Sequence, residues 1–417
     1  VSNSDKRAPS NTENLDVAVV GAGVIGLSIA WKAAASGLRV AIIDPTPGKG
    51  TTWVAAGMLA AVTEAAHGDE PVTALALSSL ALWPSFAHEL VATSGIDIDY
   101  DTSGILHVGV TAGDRALLWD LHQLHERLGL ESRWLSAEEL HELEPGLSPA
   151  VRSGLFAPGD HKVDNRLLLA SLREACLRLD ATFIEQPAAR ILVENDELLG
   201  VELRSATGTL ELLEADQVVL AAGLATPSLL SATFPGLSSV DNLPIRPVKG
   251  DILRLRSLGS GAELPISRTV RGFVRARSCY LVPRSSGELV LGATMQESPR
   301  DDSPWAGSVR EMLTDAAEIV PGTDELAFSE ASSRSRPGTP DNCPYVDRWP
   351  SLAELVVAAG HYRNGILQAP LTAQVATALL THPQKGDGAA TDSGALVPEQ
   401  MRITRSRSFL SPASRSR

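Results

Sequence analysis

DVAVVGAGVIGLSIAWKAAASGLRVAIID, residues 16–44, is the stretch whose reading decides the fold. Asp16, Val17, Ala18, Val19 and Val20 open it as a short, β-branched apolar run, the pattern of a buried parallel strand. Gly21, Gly23 and Gly26 follow as G-x-G-x-x-G. The first glycine permits a tight turn, the second lets backbone approach a phosphate, and the third lets helix pack closely on strand. A helix starting there presents unpaired N–H groups and the positive end of its dipole to an anion. A second strand over 38–43 ends on Asp44, 18 residues after Gly26, where a carboxylate can accept a ribose hydroxyl. A lone G-x-G-x-x-G also fits a glycine-rich turn in another α/β unit. The strand before, the helix after and the acid at this distance favour a dinucleotide site, without choosing between NAD and FAD.

The 417 residues suffice for two or three domains, or two interleaved ones. Hydrophobic residues at 44% and charged residues at 21% are ordinary for a globular protein. A net charge of −14 argues against nucleic acid or an anionic membrane as partner. Cys176, Cys279 and Cys343 are widely spaced and suggest neither a disulfide framework nor a zinc site. His122, His125 and His141 lack clustered partners and are expected as exposed helix residues, so no metal is expected. With no secretory h-region or long apolar run, a cytoplasmic location is expected.

Along the chain, residues 1–14 read as a disordered leader and 383–417 as a disordered tail. Thr51 and Thr52 can cap a helix or meet phosphate oxygens, and Ala55 to Met58 would either let backbone lie against a flat group or make a small-residue helix contact. One amphipathic helix is expected over 71–95 and another over 111–129. Ser136 and Glu139 form a capping box, and a helix enters at Asp164 or Asn165. Short strands are expected over 210–213 and, separately, 216–223, the latter ending in Ala222 and Gly223, a second place for backbone against a cofactor. Residues 279–283 and 288–293 read as a hairpin. Most of the arginines and Lys249 between 246 and 284 are expected on solvated strand faces, with one or two available to an anionic ligand. Residues 333–348 read as a loop, 355–359 as a parallel strand and 367–380 as a helix.

TTWVAAGM (51–58), VVLAAG (218–223), CYLVPR (279–284), LVLGATM (289–295), RPGTPDN (336–342) and AAGHYRNGILQAP (358–370) together resemble the D-amino acid oxidase family of FAD-dependent oxidoreductases, and most its glycine-oxidising branch. The resemblance spans about residues 15–380. It implies an α/β FAD-binding domain of Rossmann type, interleaved with an α+β substrate domain built on a large mixed, mainly antiparallel sheet. The implied boundaries are 15–63, 155–226 and 336–382 for the first and 64–154 and 227–335 for the second. The residues agree with FAD. A flavin benefits from a late helix N-terminus beneath its pyrimidine ring, and His361 to Ile366 lie between a strand and a helix.

Family members oxidise the Cα–N bond of an amino acid by hydride transfer from Cα to flavin N5, with O2 reduced to H2O2. The resemblance implies glycine as substrate, with sarcosine or small D-amino acids, and dehydroglycine delivered to thiamin thiazole synthesis. It implies non-covalent FAD, a homotetramer and a thiazole-synthesis partner. It makes Arg336 the carboxylate clamp, since arginine binds a carboxylate bidentately. It places Arg363 near substrate and flavin, and Tyr280, Met58 and Met295 in the pocket. On FAD it places Gly21, Gly23, Val24, Ile25, Gly26, Asp44, Thr51, Thr52, Ala56, Gly57, Met58, Ala188, Ala222, Gly223, His361, Tyr362, Arg363, Asn364, Gly365, Ile366 and Leu367. Before the clamp the family reads approximately A-G-L-R-P-G, whereas this chain has Ser333-Arg334-Ser335-Arg336-Pro337-Gly338. Arg334 is expected on the opposite side of the strand from the clamp. The alternatives are a flavin dehydrogenase of the same fold passing electrons from another small amine or hydroxy acid to a carrier, and a flavin-binding protein with impaired catalysis.

Overall fold

The computed structural model describes residues 15–238, 242–259, 263–297, 301–382 and 396–403. Its backbone is organised on two eight-stranded sheets. In the first, Leu15–Val20 lies between Val40–Ile43 and Leu210–Leu220, all parallel. Thr182–Ile184 and Leu352–Ala359 extend the parallel array on either side. Val17, Ala18 and Val19 are fully buried, because helices cover one face of the sheet and residues of Ala188–Glu194 and Glu197–Arg204 pack on the other. The helix Val24–Ala35 packs on it with Asn165–Arg178 and Ala369–Thr381. Trp31, Trp83 and Phe86 fill the adjoining core edge to face, with ring centroids 5.1 and 5.3 Å apart.

The second sheet runs Ala327–Gly338, Arg246–Arg256, Glu288–Gly292, Arg277–Pro283, Thr269–Val274, Ile105–Gly109, Ser153–Ala157 and Arg133–Ser136. Only the contact of Thr269–Val274 with Ile105–Gly109 is parallel. Ala306–Ile319 covers one face with Met312, Ala316 and Ile319. The chain passes between the sheets several times. Ser153–Ala157 and Ala327–Gly338 belong wholly to the second sheet, so the change of sheet falls beyond both 155 and 336.

Several local readings change. The strands expected over 210–213 and 216–223 are one strand. Its first half pairs antiparallel with Glu197–Arg204 and its second half parallel with Leu15–Val20, which hides its continuity in the hydrophobic pattern. The helix expected over 71–95 is two, Glu70–Leu80 and Trp83–Ser94, bent by 46° where Pro84 enters the second. The segment expected as a loop, 333–348, instead takes in the second half of the strand Ala327–Gly338 and most of Tyr345–Trp349. The tail reading fails over 396–403, where Val397, Met401 and Ile403 are buried and the Ile403 N–H donates to Asp347 Oδ2 at 3.2 Å. The remainder of that tail and the leader 1–14 lie outside the described residues. Among the described residues no single helix is long and apolar enough to cross a membrane.

Thr111 and Ser136 each make a reciprocal capping box, and Asp164 caps Asn165–Arg178 through the N–H groups of Arg166 and Leu167. His125, expected exposed, is completely buried on Ala112–Leu128 with Nδ1 2.9 Å from Ser132 Oγ. Burial pushes its pKa down to about 4, and that of buried His361 to about 3. Both imidazoles therefore take up a proton in the unfolded chain, near the ordinary 6.5, before they do so in the fold. Their contribution to stability is fully present above pH 6.5 and is lost as pH falls toward 4 for His125 and 3 for His361, by up to about 1.4 kcal/mol per pH unit for each. His125→Gln is expected to make the urea-unfolding free energy less pH-dependent between about pH 6 and about pH 5. A slope equal to that of the unaltered protein would reject this assignment.

Candidate active site between the two sheets

The glycine turn is shaped for close backbone contact. Gly21 has φ +110°, and a Cβ there would lie 2.4 Å from the Ala221 carbonyl oxygen. A Cβ on Gly26 would lie 1.8 Å from the carbonyl oxygen of Gly21. The helix Val24–Ala35 starts at Gly23 without a side-chain cap or an acid in its first turn. Its leading N–H groups are thus suited to a phosphate, with Thr52 Oγ1 3.2 Å from the Val24 nitrogen. Asp44 closes the turn from below: its carboxylate accepts the N–H groups of Ala22 and Thr46, both at 2.8 Å. Ala222 abuts Gly21, and Gly223 follows at φ +57°. Ala188 is half-buried at the start of Ala188–Glu194, beside the core that holds Val20 and Ile43. These residues fit the adenosine and pyrophosphate portion of FAD.

Beyond them a cavity of about 260 Å³ opens between the sheets. Of the expected residues it gathers Val24, Thr51, Thr52, Ala56, Gly57, Met58, Tyr280, Met295, Arg336, Tyr362, Arg363, Asn364, Gly365 and Ile366. Gly21, Gly23, Ile25, Gly26, Asp44, Ala188, Ala222 and Gly223 stand outside its wall, as do buried His361 and Leu367. His361 Nε2 lies 2.9 Å from Thr372 Oγ1, and the Leu367 carbonyl accepts from Ser79 Oγ and Trp83 Nε1. The turn after Leu352–Ala359 is tight: Gly360 has φ +82° and Tyr362 φ +49°, a left-handed conformation rare for a tyrosine. A 3-10 turn, Tyr362–Asn364, then leads to the helix Ala369–Thr381. The segment from His361 to Ile366 thus carries a short turn of its own, with the helix starting later.

The wall at Ala55 to Met58 is held from behind. Arg254 and Arg284, expected among solvated strand residues, are buried at 1% and 3% exposure. Arg254 pairs with Glu288 and reaches the Ala55 carbonyl at 3.5 Å. Arg284 donates to the carbonyls of Val163 and Ala56. Asn165 Oδ1 accepts from both guanidiniums, while its amide nitrogen donates to the carbonyls of Thr52 and Trp53 at 2.8 and 2.9 Å. Lys249 is also fully buried, its ammonium beside Asp251 and the Ser303 carbonyl.

Arg336 projects into the cavity from the strand Ala327–Gly338. Its Nη1 donates to the Thr294 carbonyl at 3.3 Å, and among the described residues no carboxylate lies within 4 Å of it. Space for its guanidinium comes from Gly250 on the neighbouring strand, where a Cβ would be 2.3 Å from Nη2. Gly292 does the same for Tyr280, whose hydroxyl would lie 2.3 Å from a Cβ there. Burial pushes the Tyr280 phenol up to about 12, so it stays neutral and can donate a hydrogen bond. Tyr362 Oη donates to Met295 Sδ at 2.9 Å.

Arg363 is already engaged. Its Nε lies 3.0 Å from Glu64 Oε2, and its Nη2 lies 3.5 Å from Asp69 Oδ2. Glu64 also holds Arg271 at 2.5 Å. Burial alone would raise the Glu64 pKa, but Arg271 and Arg363 outweigh it and hold the carboxyl below its ordinary range. Arg271 was one of the basic residues from which one or two were expected at an anionic ligand; Glu64, Gly250, Gly292 and Thr294 were not legible as site residues. Glycines interrupting two apolar strands were the available signal for two of them. Arg334 also lines the cavity, against the expectation that it faces away from Arg336. Side chains alternate along a strand with period two, so residues two apart share a face.

The family model described as FAD dependent oxidoreductase matches residues 16–379. The chain is 35% identical to a glycine oxidase of Geobacillus kaustophilus over 87% of its own length and 91% of the relative's. It is 30% identical to a bifunctional protein ThiO/ThiG of Synechocystis sp., over 88% of its own length and 51% of that longer chain. The crystal structure of glycine oxidase from Geobacillus kaustophilus superimposes with a TM-score of 0.77 at 34% identity, covering 90% of this chain and 97% of that one. A glycine-turn site for the pyrophosphate, an arginine-lined cavity between two sheets and these likenesses agree: the chain belongs to the FAD-dependent oxidoreductase family.

Proposed function

We propose that this protein binds FAD non-covalently and oxidises the Cα–N bond of glycine, and of sarcosine or small D-amino acids, with O2 as electron acceptor. The observation that carries this reading is Arg336, a guanidinium facing the cavity with no close carboxylate among the described residues. A half-buried cation in that position favours a ligand carboxylate, which its planar fork can bind bidentately. Bound FAD supplies the hydride acceptor, and O2 then reoxidises it with release of H2O2.

The chain's own residues orient and enclose the substrate. Arg336 anchors the carboxylate. Neutral Tyr280 donates to a substrate oxygen from the same side. Met58 and Met295 contribute apolar wall, adaptable in shape. Glu64 keeps Arg363 and Arg271 fixed. No side-chain base is required at Cα, so catalysis rests on orientation and electrostatics. Similarity to the ThiO/ThiG relative supports delivery of the dehydroglycine product to a thiazole-forming partner.

Anaerobic addition of glycine to the yellow holoprotein is expected to bleach the flavin, and readmitted air to yield peroxide. An oxidised flavin spectrum that persists in excess glycine would reject the reading. Arg336→Ala is expected to raise the KM for glycine about 100-fold, corresponding to ~3 kcal/mol for losing one partner of a buried charged pair. An unchanged KM would remove Arg336 as the clamp. Gly250→Ala is expected to displace the Arg336 guanidinium and raise KM in the same direction while FAD remains bound. Normal glycine affinity in that variant would refute the role given to Gly250.

A further inference from the structure

The cavity wall carries more positive charge than one carboxylate can balance. Arg271, Arg334, Arg336 and Arg363 line it, and the one acid among its lining residues is Glu64. Glu64 is engaged by Arg271 and Arg363 at 2.5 and 3.0 Å. Arg336 has no acid within 4 Å among the described residues, and Arg334 has only a distant one. Arg334 donates to the carbonyl of its own neighbour, Ser333, at 2.9 Å, and Asp302 stands 3.9 Å away with half of its side chain in solvent.

The strand register brings these two cations together. Arg334 lies opposite Gly250 and Arg336 opposite Val248. Yet the Arg336 guanidinium leans across Gly250, with Nη1 2.4 Å from where a Cβ would be. It therefore sits over the residue paired with Arg334. Arg334 shares that face and reaches the solvent edge of the cavity, its side chain 42% exposed. Two guanidiniums lining one cavity repel in the absence of an anion, and a monocarboxylate on Arg336 leaves the outer one with only the half-solvated Asp302 at 3.9 Å.

We infer that Arg334 is a specificity determinant, and that the preferred substrate is a small amino dicarboxylate with one carboxylate on Arg336 and the distal one on Arg334. This rests on the amino acid oxidase reading. The chemistry keeps the same balance. The C–N bond beside the Arg336-bound carboxylate becomes C=N as hydride passes to bound FAD and the nitrogen loses a proton. O2 accepts the two electrons and two protons as H2O2. Water then cleaves the imine to an oxo acid and an amine, and the distal carboxylate is untouched.

The test uses the holoenzyme and matched substrates that differ by the distal carboxylate: iminodiacetate against sarcosine, and D-aspartate against D-alanine. The expected result is that kcat/KM, read as peroxide release, favours the dicarboxylate of at least one pair by about 10-fold. Arg334→Leu is expected to collapse that ratio through KM, and Arg334→Lys to restore part of it. A wild-type preference for the monocarboxylate in both pairs, or a ratio unmoved in Arg334→Leu, overturns the inference. Binding of malonate and of acetate, read from the flavin absorbance, separates this from failure of the oxidase reading. If no amino acid reduces the flavin, that reading falls. Tighter malonate binding that is lost in Arg334→Leu would still support the second anion site, and equal affinities in both proteins would remove it.

Discussion

Two guanidinium groups taken almost wholly out of water set the terms for the rest of the structure. Arg254 and Arg284 approach the junction of the two sheets from the second one, at 1% and 3% exposure. A buried cation without partners would cost several kcal/mol, roughly the scale of a small domain's whole stability. Here the compensation comes from Glu288, from Asn165 and from the carbonyls of Ala55, Ala56 and Val163. The chain from Thr52 to Gly57 is thereby fixed from behind, leaving its other side to form the cavity wall. Gly57, at φ +79° with a Cβ position 2.1 Å from the Val163 carbonyl oxygen, allows no larger residue at that contact.

The same economy of backbone governs the opposite wall. Gly250 and Gly292 sit in the two strands that flank the cavity, and each leaves room for the side chain of a neighbour, Arg336 and Tyr280 respectively. The Arg336 guanidinium thus gains its position from a missing side chain on the next strand. Glu64 plays the complementary part by pairing with Arg363 and Arg271, whereas Arg336 has no carboxylate within 4 Å among the described residues. The cavity's charge is divided into a neutralised portion and an available one.

Much of the first sheet was readable because its signals are local. A strand, three glycines at fixed spacing, an uncapped helix and a terminal acid are each decided within a few residues of one another. Capping boxes at Thr111 and Ser136 and the cap at Asp164 are local in the same sense. Readings failed where a partner far along the chain decided the outcome. The segment after Ser333 looked like a loop, but pairing with Arg246–Arg256 makes it a strand. His125 looked like an exposed helical histidine and is buried. The basic residues of the second sheet looked solvated, because nothing in their neighbourhood announces the carbonyls that receive Arg254 and Arg284.

The sequence by itself determined the dinucleotide turn and the alternation of helices and strands around it, and through resemblance it nominated residues for FAD and Arg336 for a carboxylate. Those features depend on backbone geometry and spacing along the chain. Only the tertiary structure decided how the charges are shared. It joined Glu64 to arginines more than 200 positions away (271 − 64 = 207), put Gly250 under Arg336, and turned Arg334 into the same cavity. Electrostatic and steric complementarity depends on distance in space, and strand register, not sequence spacing, sets that distance.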